Sequence, residues 1–272
     1  MTATSFQDYA AIKAVNATAL KEMSKSPKAY RYAVDHPRRD TDRLRVGRAG
    51  HTGILEPEKF LAEYVLWDGG ARRGKEWTSF KASADKTILT EGQYGAALAM
   101  RDAVMAHPEA AAILVGAATE QTLTWTDPVT GLACKCRVDL LKPRIWGDLK
   151  TTRSVGERAF TRQSIEYGWD IQMGFYQMGL RANGMPDAGT VIIGVEVAPP
   201  HDVIVFDAGD LAYCGAKKAR VLLDRVAECE ATGQWPGRSE RRVLISVPEY
   251  AMDGYECEDE QSPAAAWLMG EG

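Results

Sequence analysis

Between Leu132 and Lys150 two short segments read as neighbouring strands, and they restrict the fold more than any other part of the chain. Leu132 to Leu141 alternates. Cys134, Cys136, Val138 and Leu140 fall on one face, and Lys135, Arg137 and Asp139 on the other, the period-two pattern of a half-buried strand. Trp146-Gly147-Asp148-Leu149-Lys150 follows after a short gap. Side chains at i and i+2 of an extended segment share a face, so Asp148 and Lys150 project together while Leu149 points into a core. Asp139, nine positions before Asp148, can join them from the preceding strand. Nowhere else does an acid stand two positions before a lysine. Alone, such a triplet is most often a solvated strand face with an ion pair; the strand bearing Asp139 beside it is what suggests a site.

The rest of the chain reads as helices around these strands. Asn16 to Leu20 has the form of a helix entry, Ser26-Pro27 opens a second helix, and Pro37 closes that segment. Gly47 to Pro57 reads as a helix whose small residues permit close packing; on it His51 is either a core histidine or a ligand. Residues 67 to 81 read as a basic loop entering a short helix, and Glu91 to His107 as a helix with Tyr94, Leu98, Arg101 and Met105 along one side. Thr119 to Thr126 is a strand with Glu120 at its start, joined to the next strand by the turn Asp127 to Gly131. Ser154-x-x-Glu157 has the form of a capping box. A helix from about Asp170 to Asn183 places Gln172 and Tyr176 four apart on one face. Thr190 to Val197 and His201 to Phe206 read as strands, Asp207 to Thr232 as a long helix closed by Gly233, and Val243 to Val247 as a further strand.

With 272 residues the chain can bury a sizeable core in one domain or two. Its five cysteines form no CxxC pair, which suggests neither a zinc site nor a disulfide framework but reduced thiols. No leader-like start and no apolar run of bilayer-spanning length is present, so a cytoplasmic, non-membrane protein is expected. The net charge of −4 opposes a nucleic-acid partner only at first sight. From Glu249 onward there are seven acids and no Lys or Arg, so the remainder carries +3. Basic residues cluster at Arg38, Arg39, Arg43, Arg45 and Arg48, and at Arg72, Arg73 and Lys75, either as solvated faces or as DNA contacts. The acidic tail 249–272 is either disordered or a docking segment, after a single domain over residues 1–248 with a helical region to about 110 and a core from about 111.

Asp139, then Asp148-x-Lys150, resembles the PD-(D/E)xK nuclease core, with Val138 where that motif's name has proline. Several short stretches follow the order seen in phage recombination 5′→3′ exonucleases of the RecE and lambda-exonuclease type: Ser26-Pro27-x-x-Tyr30, Gly47-x-x-x-His51 with Leu55 to Phe60, Glu120, Gly131-Leu132 leading to Arg137-x-Asp139, Gly147 to Thr151, and Gln172-x-x-x-Tyr176. They cover roughly residues 20 to 180, and the ordered set is more specific than any member. The resemblance implies an α/β restriction-endonuclease-like fold, a mixed central sheet flanked by helices with a helical N-terminal region. It implies two Mg²⁺ ions per site, replaceable by Mn²⁺, with Asp139, Asp148 and the Leu149 carbonyl as oxygen ligands. Glu120 would bind the second ion or position the attacking water, and His51 would be a further ligand or support one. Lys150 would orient or deprotonate the water, with Gln172 and Tyr176 holding the nucleophile and the wall. Lys13, Thr18, Arg45, Arg48 and Arg137 are candidates for DNA or 5′-phosphate binding.

By the same resemblance the expected reaction is processive digestion of linear double-stranded DNA from the 5′ end to mononucleotides, leaving 3′ overhangs. A single-strand annealing protein is the expected partner, and a ring of three or four copies the expected assembly, in a bacterial or phage-infected cell. Two other readings remain open from the residues: an endonuclease or repair nuclease on the same core, and a catalytically silent DNA-binding subunit.

Overall fold

The structure, a computed structural model, describes residues 2–3, 5–36, 42–185 and 188–248, without the side chains of 2–3 and 42–44. In chain order its elements are β1 (Thr2–Ala3), α1 (Phe6–Ala11), α2 (Ala17–Met23), α3 (Pro27–Asp35), α4 (Asp42–Leu55), α5 (Pro57–Glu63), β2 (Tyr64–Trp67), α6 (Gly74–Ser83), β3 (Thr87–Thr90), α7 (Glu91–Ala106), α8 (Pro108–Leu114), β4 (Ala118–Thr126), β5 (Ala133–Lys142), β6 (Ile145–Thr152), α9 (Glu157–Glu166), α10 (Trp169–Ala182), β7 (Gly189–Glu196), β8 (Val203–Asp207) and α11 (Gly209–Thr232). They belong to a compact unit spanning Met1–Gly237; Arg238–Gly272 form a second.

A six-stranded sheet runs in the order β1-β4-β5-β6-β7-β8, antiparallel except for β6 and β7. Parallel neighbours cannot be joined by a hairpin, and here α9 and α10 make the crossover. Consecutive β7 residues show the layering: Ile192 enters a cluster built with α2, α10 and α11, and Ile193 one built with α4, α7 and α8. Helices therefore cover both faces. A separate parallel pair, β2 with β3, packs with Phe60 and Ala97 at one side, a unit the sequence reading had not anticipated.

Local chemistry sets the element ends. Asn16 and Ser26 cap α2 and α3 through their side-chain oxygens, and Pro27 and Pro57 begin α3 and α5 where a missing N–H costs nothing. Gly233, left-handed, ends α11. α10 and α11 lie with their backbones touching at Gly174 and Gly215: a Cβ on Gly174 would stand 2.0 Å from the Ala216 nitrogen, and one on Gly215 1.7 Å from the Asp170 carbonyl oxygen.

The helix expected over Glu91 to His107 forms as α7 and buries Ala97, Met100 and Val104, with α4 packed closely at Gly50 against the flexible end of Met100. Two expectations are corrected. The Ser154 box does not form: Val155 donates its N–H to Glu196, Ser154 accepts from Gly156, and α9 starts at Glu157 with Gly156 as its cap. Val243–Val247 form no strand and are exposed, since β-propensity makes no ladder without a partner. Residues 68–73 form a loop leading into α6, as expected, and within it Arg72 donates to the Ile88 carbonyl at 3.0 Å and tethers β3. Pro37, Arg38, Arg39 and the acidic tail lie outside the described residues, as does the Arg43 side chain.

Candidate active site

The site forms where β5 leaves β6. Their pairing runs from Lys142↔Ile145 to Leu140↔Gly147, and beyond it the Leu149 N–H donates at 2.8 Å to the carboxylate of Asp139 (Oδ2). A side chain has replaced the ladder at that point. On the other flank β4 pairs with β5 at Thr119↔Leu140 and Gln121↔Val138, and Glu120 between them has φ of 53°, a left-handed backbone rare for a residue with a side chain. The alternation changes hands there. Cys134, Cys136 and Val138 face the α10 side as expected, but Leu140 joins the opposite cluster with Leu149. Strain of this kind at a strand joint is characteristic of functional sites.

α4 delivers His51, its Nε2 3.0 Å from Asp139 Oδ2 and its Nδ1 3.5 Å from Glu120 Oε1. Glu120 is held from its far side by Arg137, whose Nε lies 2.6 Å from Oε2; Glu56 stands 3.9 Å from the same guanidinium. On β6, the Lys150 ammonium forms a buried ion pair with Asp148 Oδ2 at 2.5 Å. Gln172, from α10, closes the group. Its Nε2 donates to Asp148 Oδ1 at 2.8 Å and to the Tyr176 hydroxyl at 3.3 Å, while its Oε1 accepts from Lys150 at 3.2 Å. Lys150 also lies over the Trp169 ring at 5.4 Å.

Three carboxylates in one pocket must share what cations they have. Burial pushes Asp148 up from the ordinary carboxylate value, and the Asp139 charge adds to that against Lys150. Asp139 is held low despite burial, by the charge and hydrogen bond of His51, by Lys150 and by the Leu149 N–H. Glu120 rises to about 7, chiefly through burial and the Asp139 charge, with His51 and Arg137 opposing. Burial draws His51 down, but Asp139 and Glu120 more than compensate and bring it to about 9. Burial holds the Tyr176 phenol well above its usual range, so it stays protonated.

His51, Glu120 and Asp139 each offer a donor atom within 4.8 Å of the others. Nitrogen and carboxylate oxygens in that grouping fit a divalent cation. The structure thus brings together Asp139, Asp148, Lys150, Glu120, His51, Gln172 and Tyr176. The Leu149 side chain is in the core, as expected. Lys13, Thr18 and Arg48 are exposed, Arg45 is half-buried, and Arg137 is engaged with Glu120, so a phosphate there would compete with a carboxylate. The sequence reading missed Glu56, Trp169 and Lys21, the last of which also donates to Gln172 Oε1, at 3.4 Å. No motif marks Trp169 or Lys21, and Glu56 falls in the Leu55 to Phe60 stretch without a role of its own.

Sheet order, flanking helices and the Asp139, Asp148-x-Lys150 constellation define a member of the PD-(D/E)xK nuclease superfamily. Residues 16–246 match the family described as "PDDEXK-like domain of unknown function (DUF3799)", and the chain belongs to it. It is similar in fold to a crystal structure from Eubacterium rectale named "Putative exonuclease", with a TM-score of 0.64 at 16% identity over 93% of this chain and 98% of that one. No curated protein matches the chain. Among the described residues, no helix is long and apolar enough to cross a membrane.

Proposed function

We propose that the chain is a metal-dependent 5′→3′ exodeoxyribonuclease that digests one strand of linear duplex DNA to mononucleotides and leaves 3′ overhangs. The observation behind this reading is the convergence of Asp139, Asp148, Glu120, His51 and Lys150 at the joint between β5 and β6, with Gln172 bonded to both Asp148 and Lys150. The choice of 5′ polarity and of duplex ends comes from the ordered motifs shared with the phage recombination exonucleases.

Asp139, Asp148, Glu120, His51 and the Leu149 carbonyl would hold Mg²⁺, two ions per site, with Mn²⁺ as a substitute. Ions held by these residues would supply Lewis acidity for the scissile phosphate and the attacking water. Lys150, fixed between Asp148 and Gln172, orients that water and offsets charge developing on the phosphate. Gln172 keeps Asp148 turned inward, and Tyr176 walls the pocket as a neutral phenol. Arg45, Arg48, Lys13 and Thr18 are the groups offered to a 5′-phosphate. By the same resemblance the enzyme works in the cytoplasm, as a ring of three or four copies around its DNA, with a single-strand annealing protein to receive the overhang.

Digestion of a linear duplex in Mg²⁺, labelled differently at its two 5′ ends and phosphorylated at one, tests the reading. Label released first as mononucleotide from the phosphorylated end is the expected result. Internal cleavage, or cutting of closed circles, would make the chain an endonuclease, and no cleavage in Mg²⁺ or Mn²⁺ would overturn the catalytic reading.

A further inference from the structure

The face of β5 that carries Asp139 also carries Lys135 and Arg137, at two-residue steps. Both cations serve α1. Lys135, buried, donates from Nζ to the carbonyls of Tyr9 at 2.7 Å, Ala10 at 3.3 Å and Ile12 at 2.6 Å, at the end of that helix where carbonyls lack helical partners. Arg137 lies at the other end of α1, its guanidinium carbon 5.8 Å from the centre of the Phe6 ring, while its Nε holds Glu120 at 2.6 Å. No residue of α1 is buried, and these contacts with β5 seat the helix beside the cleft.

Phe6 is thereby held at the edge of the site with most of its surface in water, 62% exposed. A single exposed phenylalanine is ordinary and needs no function. What sets Phe6 apart is its place: through Arg137 it is joined to Glu120, one of the three residues grouped for a cation. Arg137 takes one side of the ring, and Tyr9, 6.4 Å away and tilted by 40°, does not stack on the other. At about 3.4 Å per residue, Arg137 and Asp139 are roughly 7 Å apart along β5, so a strand whose phosphate lies at Asp139 has a base within reach of the ring over Arg137.

A nucleobase fits this arrangement. Ser5, Gln7 and Asp8 around the ring are exposed and polar, so there is no wider apolar patch for a protein or lipid partner, only one flat aromatic surface. Every base has a π-face, and stacking on an aromatic side chain strengthens binding on the order of tenfold or more whatever the sequence. We propose that Phe6 stacks on a nucleobase of the strand being cut, next to the scissile phosphate, and so sets where that strand comes to rest in the cleft. The inference rests on the nuclease reading above and adds a base contact to a site otherwise built for phosphate.

The test compares wild type with Phe6→Ala, Phe6→Leu and Phe6→Trp, each shown by thermal melting to be folded, as a change at an exposed position allows. Binding of a linear duplex is measured in Ca²⁺ and cleavage in Mg²⁺, with the duplex intact or carrying one abasic site at successive terminal positions of either strand. Phe6→Ala and Phe6→Leu are expected to weaken binding of the intact duplex by about tenfold and to raise KM in step, and Phe6→Trp to bind at least as well as wild type. At one position the abasic site should weaken wild type by the same factor and cost Phe6→Ala nothing further. Phe6→Leu binding like wild type would leave only an apolar contact and overturn the stacking. Losses that add for Phe6→Ala and the abasic site at every position would also overturn it, since ring and base would not meet. Wild type that binds and cuts DNA, with all three variants matching it, would end this inference alone. Wild type that does neither would remove the nuclease reading, and this inference with it.

Discussion

Leu149 and Asp139 are joined by a hydrogen bond from the backbone of one strand to the carboxylate of the next, at the point where the β5–β6 pairing has ended. The bond spares a buried N–H the cost of having no acceptor and fixes where the carboxylate stands. Asp139→Asn keeps an acceptor for that N–H but removes the charge that faces His51. The expected outcome is a folded protein with a melting temperature within a few degrees of wild type, and DNA cleavage down by about 10²–10³-fold, the scale of losing one preorganised electrostatic group. Thermal melting and release of nucleotides from a labelled duplex measure the two.

The same variant separates metal binding from folding. Mg²⁺ that binds only the folded state stabilises it by about 2.7 kcal/mol at a hundredfold excess over Kd, which raises the melting temperature of a domain this size by roughly 5–10 °C. Wild type should show that rise and lose it on chelation. Asp139→Asn should show little of it, and an equal rise in both would place the cation elsewhere.

Glu120 offers a sharper test, since its φ of 53° is paid for by a residue that has a Cβ. Left-handed backbone costs an L-residue about 1–2 kcal/mol, and glycine escapes that cost. Glu120→Gly and Glu120→Ala both lose the carboxylate and leave Arg137 without it, so those losses cancel between them. Urea unfolding should find the glycine variant the more stable by about 1 kcal/mol, with both impaired in cleavage. Equal stabilities would mean that residue 120 has ordinary strand geometry.

Far from the cleft, Asp127 links the β4–β5 turn to α11. It accepts from Arg220 at 2.7 Å and from the hydroxyl and N–H of Thr130 at 2.6 and 2.9 Å. Burial pushes its carboxyl up, but the Arg220 and Thr130 bonds outweigh that and hold it below the ordinary value. A carboxyl lowered on folding contributes stability that is present above its unfolded pKa and lost as pH falls through the folded one. Stability should therefore drop below about pH 4 in wild type, and drop less steeply in Asp127→Asn. The variant should be weaker by about 2 kcal/mol at pH 7, because Arg220 is left with a poorer partner. Denaturant midpoints at pH 7, 5 and 3 give both numbers.

Where residues act through spacing along one element, the sequence made the site readable. Gln172 and Tyr176 are a helical turn apart and bond to each other, and Asp148 and Lys150 share a strand face and meet. Where the arrangement depends on a partner element it was hidden. Strict alternation put Leu140 beside Val138, and nothing in the string announces that Glu120 reverses the hairpin's faces one step away. Lys21 is separated by a long stretch of chain from the glutamine it approaches. Val243–Val247 has strand-forming residues, and only the lack of a paired neighbour keeps it from being a strand.

α11 places no side chain in the cluster around Asp148, yet at Gly174 and Gly215 it leaves no gap between itself and the helix that bears Gln172. The glutamine's reach into the cleft is thus gauged by the thickness of two bare backbones. A methyl group added to that contact would push apart helices rather than fill space, and Gln172 would be withdrawn with its helix. In a genetic screen for lost activity, substitutions at this remote crossing would be grouped with those at Asp148 and Lys150, although no chemistry happens there.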